Sequence, residues 1–252
     1  FVVTSATDGA WLYGPLDQSL RMTGATLQGP LDVAVGSNLR ATGSFNTGSV
    51  NDNVTFRSYE SLTLEGVGGI DTNGSLLRII AGSNLTVIGT VSTGGGAIET
   101  TSADNTTFAA DANISTAGGN IFIDADSLLN KNVTFEDGAL VNLGSGSLRI
   151  EASDEVSLTG IVTTNGDACG DGTQGCAVSI FANSLNDGGN SRDDIELNGT
   201  GDIRLNVHKY ANLNKIDYNG ASPLSIEVQG KNQGARIAGG MLGIDAEAGI
   251  EV

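Results

Sequence analysis

The feature that most constrains the fold of this chain is a short apolar–x–apolar unit that returns about every 23 residues. Side chains alternate between the two faces of a β-strand, so the first and third residues should face a core and the middle one water. The units of this first series are Leu31-Asp32-Val33, Val54-Thr55-Phe56, Leu77-Arg78-Ile79, Ile98-Glu99-Thr100, Ile121-Phe122-Ile123, Leu148-Arg149-Ile150, Val178-Ser179-Ile180, Ile203-Arg204-Leu205, Leu224-Ser225-Ile226 and Ile250-Glu251-Val252.

Two further series keep their places after the first. The second comprises Leu62-Thr63-Leu64, Leu85-Thr86-Val87, Val133-Thr134-Phe135 and Val156-Ser157-Leu158. The third is shorter and ends in Gly/Asn turns, as in Ile70-Asp71-Thr72-Asn73-Gly74 and Val91-Ser92-Thr93-Gly94-Gly95, where these residues supply the positive φ of tight turns.

One such coil cannot bury its apolar side alone, but stacked coils form a continuous core. The pattern therefore predicts an all-β fold, a right-handed parallel β-helix (β-solenoid) with about 23 residues per coil, roughly ten coils and almost no helix. We expect a single β-helix domain over residues 1–252.

Composition sets limits on the core and on the partners. Aromatic residues make up 5% of the chain and apolar residues 39%, which predicts a core of Leu, Ile, Val and Ala. The formal net charge of −17 repels nucleic acid and anionic membranes, and no run of about 20 apolar residues is present to enter a bilayer. We therefore expect neither nucleic-acid binding nor membrane insertion.

Three segments depart from the repeat. Residues 1–25, with Trp11, Tyr13 and Pro15, are interpreted as an irregular start or a partial coil. Residues 167–176 form a loop insertion. Both ends are interpreted as truncated from a longer chain, because the first lacks a signal peptide and an initiator Met, and the last stops inside an alternating pattern.

The runs SLLRIIAGSNLTVIGTVSTGGG, NISTAGGNIFIDADSL and SLRIEASDEVSLTGIVTTNG resemble repeats of filamentous-haemagglutinin-type exoproteins, the bacterial adhesins of two-partner secretion. The resemblance covers roughly residues 30 to 205. It implies a long right-handed β-helix that is secreted or displayed on the cell surface and attaches to host cells, surfaces, or matrix polysaccharide or protein. The family's NPNL- and NPNG-type secretion motifs do not occur here, so the resemblance implies a rod segment without the export module. It transfers no catalytic or binding residue.

Cys169 and Cys176 lie in the glycine-rich insertion. Their proximity favours a local disulfide formed in an oxidising compartment. Two free thiols are the alternative, and a zinc site is disfavoured because one distant histidine cannot complete the ligand shell.

Four aspartates are candidate calcium ligands: Asp167 and Asp171 beside the cysteines, and Asp124 and Asp126 in the run IDAD. The sequence has neither EF-hand spacing nor the tandem nonapeptide of calcium-binding β-rolls, so these aspartates are interpreted first as solvated turn residues, with calcium binding as the weaker alternative. We expect no resident cofactor other than this candidate calcium.

The adjacent acids Asp193-Asp194 suggest glycoside hydrolysis, a chemistry found on other β-helices. His208 is the sole histidine and no other catalytic element accompanies the pair. The sequence therefore favours a protein that is not an enzyme.

Lys209, Tyr210, Lys215 and Tyr218 form a candidate ligand patch in the least acidic part of the chain. Seven N-x-S/T sequons are interpreted mainly as turn residues and as candidates for stacked amide ladders; they begin at Asn53, Asn73, Asn84, Asn105, Asn113, Asn132 and Asn198. The leading functional hypothesis is an adhesive rod. The alternative is a self-assembling subunit of an extracellular filament or sheath, because open β-helix ends expose unpaired backbone groups.

Overall fold

The computed structural model describes residues 9–14, 17–42, 45–47, 52–125, 130–164, 177–186, 195–197, 203–211, 215–218, 224–229, 236–237, 243–246 and 250–251. Every regular element in these ranges is a β-strand. The all-β prediction is confirmed.

The strands follow one another in short segments separated by turns. They are β1 (Ala10–Tyr13), β2 (Leu20–Met22), β3 (Ala25–Thr26), β4 (Leu31–Val35), β5 (Leu39–Thr42), β6 (Phe45–Asn46), β7 (Val54–Ser58), β8 (Leu62–Asp71), β9 (Leu77–Ala81), β10 (Leu85–Ser92), β11 (Ile98–Ser102), β12 (Thr106–Phe108), β13 (Asn113–Ser115), β14 (Ile121–Ala125), β15 (Val133–Phe135), β16 (Leu140–Asn142), β17 (Leu148–Ala152), β18 (Glu155–Leu158), β19 (Ile161–Thr164), β20 (Val178–Asn186), β21 (Ile195–Leu197), β22 (Ile203–Ala211), β23 (Lys215–Tyr218), β24 (Leu224–Gln229), β25 (Arg236–Ile237), β26 (Gly243–Ala246) and β27 (Ile250–Glu251).

These strands stack in three parallel ladders, in which a strand within the stack pairs with its counterparts one turn before and one turn after. The first sheet runs β1, β4, β7, β9, β11, β14, β17, β20, β22, β24 and β27. The second sheet begins with β2 and β5, the third begins with β3 and β6, and both join β8. The chain is therefore a parallel β-solenoid, as predicted.

The number of turns is smaller than expected. About seven turns of roughly 23 residues are formed, against the roughly ten expected. The seven regular turns lie between β1 and β19, and strands β20 to β27 continue the ladders beyond them.

Residues that could not be placed in register from the sequence form the first turn. Ala10 lies opposite Leu31 and Leu12 opposite Val33, so β1 extends the first sheet by one strand. Ala10 and Leu12 pack against the core, which turns Trp11 outward.

Burial follows the period of two along the first sheet. Leu77 and Ile79 are buried and Arg78 between them is exposed. The same alternation runs through β4, β7, β11, β14 and β17 and produces one continuous aliphatic core. Full burial of each Leu or Ile contributes about 1.5–3 kcal/mol, before the loss of chain entropy is counted.

The third sheet ends in stacked turns with a buried threonine at the start of each. In the segments Thr72–Ser75, Thr93–Gly96 and Thr116–Gly119 the two central residues have positive φ, and the last N–H donates to the first carbonyl. This is type I′ geometry. The hydroxyl of Thr72 donates to the Ser75 carbonyl at 2.6 Å, and that of Thr116 to the Gly119 carbonyl at 2.5 Å. Each buried threonine therefore satisfies a carbonyl that the turn leaves inside.

A column of glycines follows these turns because successive backbones approach closely there. A Cβ on Gly96 would lie 2.0 Å from the Ser75 carbonyl oxygen, one on Gly119 2.0 Å from that of Gly96, and one on Gly146 2.1 Å from that of Gly119. Only glycine fits this column without a backbone shift.

Asparagines form a ladder at the corner between the first and second sheets. The side-chain oxygen of Asn84 accepts from the N–H of Asn105 at 3.3 Å, that of Asn105 from Asn132 at 3.0 Å, and that of Asn132 from Glu155 at 3.0 Å. Three sequon asparagines thus have the structural role expected of stacked amides.

Candidate functional site

The outward face of the first sheet carries two parallel columns of side chains. One column comprises Trp11, Asp32, Thr55, Arg78, Glu99, Phe122, Arg149, Ser179 and Arg204. The other comprises Tyr13, Ala34, Arg57, Ile80, Thr101, Asp124, Glu151 and Phe181. Neighbouring members of a column are about 4.8 Å apart, the spacing of paired strands.

Exposed aromatic rings concentrate at the start of this face. Trp11 is 56% exposed, Tyr13 68% and Tyr59 65%. Among the residues up to Leu205 whose side-chain exposure is described, the one other large hydrophobic side chain that is exposed is Leu140, on the third sheet. A cluster of exposed rings in a chain with few aromatic residues indicates an interaction surface.

Backbone register places these rings together. The alternation in β1 turns Trp11 and Tyr13 to the same side. On the third turn, the N–H of Tyr59 donates to the carbonyl of Val35 at 3.1 Å, which completes the pairing of Ser58 with Val35 at the end of β7. Tyr59 is therefore exposed at the bend that follows β7, two residues after Arg57.

Small residues separate the two groups of rings. On the second turn, Ala34 lies between Tyr13 and Arg57 in its column. Gly36, two residues further on, adds no side chain. The rings of the first turn and Tyr59 of the third are therefore two strand spacings, about 10 Å, apart along the axis, with only small residues on the turn between them. We refer to Trp11, Tyr13, Ala34, Arg57 and Tyr59 as the aromatic surface.

Asp32 adds an acceptor beside this surface. The hydroxyl of Tyr13 donates to its Oδ2 over a long 3.5 Å. Its Oδ1 is buried and has no hydrogen-bond partner. A buried carboxylate oxygen without a donor is costly, and such atoms in a folded protein point to a ligand, a water or a functional role.

A second groove opens on the neighbouring face. It is lined by Ser19, Arg21, Asn38, Arg40, Ser61 and Thr63. Two hydrogen bonds from Arg40, at 2.9 Å and 2.8 Å, reach Oε2 of Glu65, which neutralises that guanidinium. Leu20 and Leu39 also line the groove, which carries no exposed ring.

Several residues singled out in the sequence lie outside the described residues. They are Cys169, Cys176, Asp167, Asp171, Asp126, Asp193 and Asp194. Asp124 lies on β14 between Thr101 and Glu151 in the outward column. Within the described ranges, no three His, Cys, Asp or Glu side chains group as a metal site would require.

The candidate ligand patch predicted from the sequence is divided between two sheets. Tyr210 on β22 lies opposite Ser184 in the second sheet, whereas Tyr218 on β23 lies opposite Leu197 in the third. Lys209 belongs to β22 and Lys215 to β23. The four residues therefore share one turn but not one sheet.

The sequons are also distributed over several sites. Asn84, Asn105 and Asn132 form the amide ladder, and Asn73 has a left-handed φ of 49° in its turn. Asn53 and Asn113 are exposed. Asn198 lies outside the described residues.

The aromatic surface was missed as a site by sequence reasoning, which had noted Trp11 and Tyr13 only as unplaced. The signal that identifies it is the alignment of Ala10-Trp11-Leu12 with Leu31-Asp32-Val33. Because the first inward residue of β1 is the small Ala10, the apolar–x–apolar pattern is weak in Ala10-Trp11-Leu12.

Comparison with known proteins assigns no family: no family model, no curated protein and no solved structure matches the chain. Within the described part of the chain, no helix has the length and apolar character needed to cross a membrane.

Proposed function

We propose that this chain is a structural and adhesive rod segment of a secreted or surface-displayed bacterial exoprotein that mediates attachment or matrix formation. The observation that carries the proposal is the continuity of the first sheet, which stacks strands from Ala10 to Glu251 in one parallel ladder. Such a solenoid holds surface side chains in straight columns at a fixed spacing.

The arrangement of the surface supports the same proposal. The aromatic surface lies on the outer face of the first sheet and is exposed. A rigid scaffold that presents exposed rings at a defined position suits binding to a host-cell, surface or matrix ligand, polysaccharide or protein, outside the cell. The proposed role requires no catalytic group.

A second candidate function is a self-assembling subunit of an extracellular filament or sheath. Among the described strands, β1, β2 and β3 each pair on one side only, with β4, β5 and β6 respectively. Unpaired strand edges are templates for the addition of another chain.

One measurement separates the two functions: the intact mass of the native protein, taken with negative-stain images. A polypeptide far larger than 25.6 kDa that stays monomeric is expected for the adhesive rod. A native mass near 25.6 kDa together with fibres would contradict the rod and support the filament subunit. Attachment is then tested by comparing adhesion of cells with and without the protein on their surface.

A further inference from the structure

We infer that the aromatic surface is a binding site for a linear, uncharged polysaccharide, with the sugar rings stacked on Trp11, Tyr13 and Tyr59. This inference rests on the proposed adhesive function and names the ligand class and the residues that contact it.

The exposed rings provide the first argument. Trp11, Tyr13 and Tyr59 each leave more than half of their surface in water, although this apolar area favours burial. Tyr and Trp combine a flat apolar face with a polar group, so they suit ligands that are apolar on one face and hydrated at the edge. A pyranose ring has this character: its C–H groups form an apolar face and its hydroxyls surround it.

The spacing provides the second argument. Tyr59 of the third turn is displaced from Tyr13 by about 10 Å along the solenoid axis and by two residues along the strand direction, with Ala34 and Gly36 between them. A straight polymer that crosses the face obliquely from Tyr13 to Tyr59 can contact both, because the small residues leave its path open. Two contacts on one chain reinforce each other without a new interaction at either end.

The charges favour an uncharged ligand. The site contains the carboxylate of Asp32 and the guanidinium of Arg57, and exposed Glu60 follows Tyr59, so it has no excess of positive charge to attract an anion. The rest of the protein brings the formal net charge to −17, which repels an anionic polysaccharide. The unpartnered Oδ1 of Asp32 is an acceptor that a sugar hydroxyl can satisfy after a small shift of the side chains around it.

The size of the site favours a polymer over a protein partner. Further along the same column, Arg78 and Glu99 form an ion pair at 2.6 Å. The exposed rings are three, on the first and third turns. A stable protein interface buries roughly 800 Å² on each partner, whereas three partly exposed rings of roughly 150–250 Å² each offer less.

The single tryptophan makes the site directly measurable. Trp11 is the only tryptophan in the chain, so its emission reports on the proposed contact itself. The protein is titrated with cellohexaose, laminarihexaose and maltohexaose while the Trp11 emission is followed. The same samples are run in native gels that contain hydroxyethyl cellulose, laminarin, soluble starch or the anionic polymer alginate.

The expected result is a saturable change of Trp11 emission with at least one neutral hexasaccharide, and retardation by the matching neutral polymer. Tyr59→Ala should raise the half-saturation concentration roughly tenfold, and Trp11→Ala should abolish retardation, because each removes a stacking contact. Leu140→Ala is the matched control, since it truncates an exposed apolar side chain of the third sheet and should leave binding unchanged.

Three results would overturn the inference: no response to any neutral sugar, retardation by alginate alone, or binding that Trp11→Ala and Tyr59→Ala leave intact. Loss of attachment to a protein-coated surface in Trp11→Ala, without any polymer binding, would assign the surface to a protein partner and also overturn it. Attachment of cells that survives all of these variants would leave the adhesive rod standing while this site fails. Polymer binding without any attachment of cells would support this site and contradict the adhesive rod.

Discussion

The Cζ atom of Arg149 lies 4.7 Å from the centre of the Phe181 ring, one turn further along the first sheet. On the preceding turn, the ring of Phe122 lies 5.8 Å from the same atom. Nε of Arg149 donates to Glu151 at 2.8 Å. One guanidinium therefore connects three turns through two rings and a carboxylate.

Replacement of Arg149 by Met should lower the free energy of unfolding by about 1 kcal/mol, because two cation–π contacts and an ion pair are lost. Urea unfolding followed by circular dichroism measures the change. The matched control is Arg78→Met, which loses the ion pair to Glu99 but no ring contact and should change stability by less than about 0.5 kcal/mol. Equal effects of the two variants would show that the rings contribute nothing.

Thr100→Val should stabilise the protein by about 1 kcal/mol. The Thr100 hydroxyl is buried without a hydrogen-bond partner, beside a small apolar cavity that Ile79, Ile98 and Phe108 also line. Valine has the same shape and removes the desolvated hydroxyl.

The control for this variant is Thr116→Val, since the Thr116 hydroxyl donates to the Gly119 carbonyl at 2.5 Å. Its removal leaves a buried carbonyl with fewer donors and should destabilise by about 1 kcal/mol. Thermal unfolding of both variants measures the contrast. If Thr100→Val unfolds earlier than the unmodified protein, the hydroxyl has a partner in solution.

Gly119→Ala should destabilise by about 2 kcal/mol or more, because its Cβ would lie 2.0 Å from the backbone oxygen of Gly96. Ala117→Gly, two residues earlier, should do the opposite. Ala117 has a φ of 52°, which is unfavourable for a residue with a Cβ. Part of that gain is offset by the greater freedom of glycine in the unfolded chain, so about 0.5 kcal/mol should remain. Chemical denaturation of the pair gives both signs, and a shared sign would contradict the close approach of the two turns.

Asp104 should make stability depend on pH in acid. The hydrogen bond from Lys131, then that from Ser83 at 2.7 Å, holds the pKa of Asp104 below its usual 3.8. A carboxyl whose pKa is lowered in the folded state stabilises fully above its unfolded pKa and loses this contribution as the pH falls through the folded value.

The melting temperatures of the unmodified protein and of Asp104→Asn should therefore differ at pH 7 and converge below pH 3.8. Lys131→Met is the second variant, because it removes the main cause of the lowered pKa of Asp104. In a Lys131→Met background, Asp104→Asn should therefore change the melting temperature at pH 7 by less. A gap between the melting temperatures that is constant down to the lowest pH would rule out this linkage.

The first sheet could be predicted from the sequence because its inward residues are aliphatic and its outward ones polar, as in Leu77, Arg78 and Ile79. The second sheet was predicted in part. At β12 the inward residue is Thr106, whose hydroxyl is paired with that of Ser102 at 2.8 Å inside the corner, and this hides the strand from a search for apolar residues.

Register was harder to predict than the presence of strands. The repeat pattern predicted that Ile203 pairs with Leu224, but in the structure Ile203 lies opposite Ile226. A shift of two residues keeps each side chain on its face, so the apolar pattern cannot distinguish the two alignments. The aromatic surface escaped prediction for a related reason: it depends on which residues of neighbouring turns are opposite, and the pattern of a single turn does not contain that information.

The hydrogen bonds of the parallel ladders point along the axis of the solenoid, from each turn to the next. A pulling force applied along this axis therefore acts on the turns in series, and the weakest one opens first. Each turn that opens releases up to about 80 Å of extended chain, in place of the roughly 4.8 Å it occupied, since it contains about 23 residues. Its neighbours keep their own contacts, because each turn packs only on the turns beside it. A rod of this kind can therefore lengthen under load, one turn at a time.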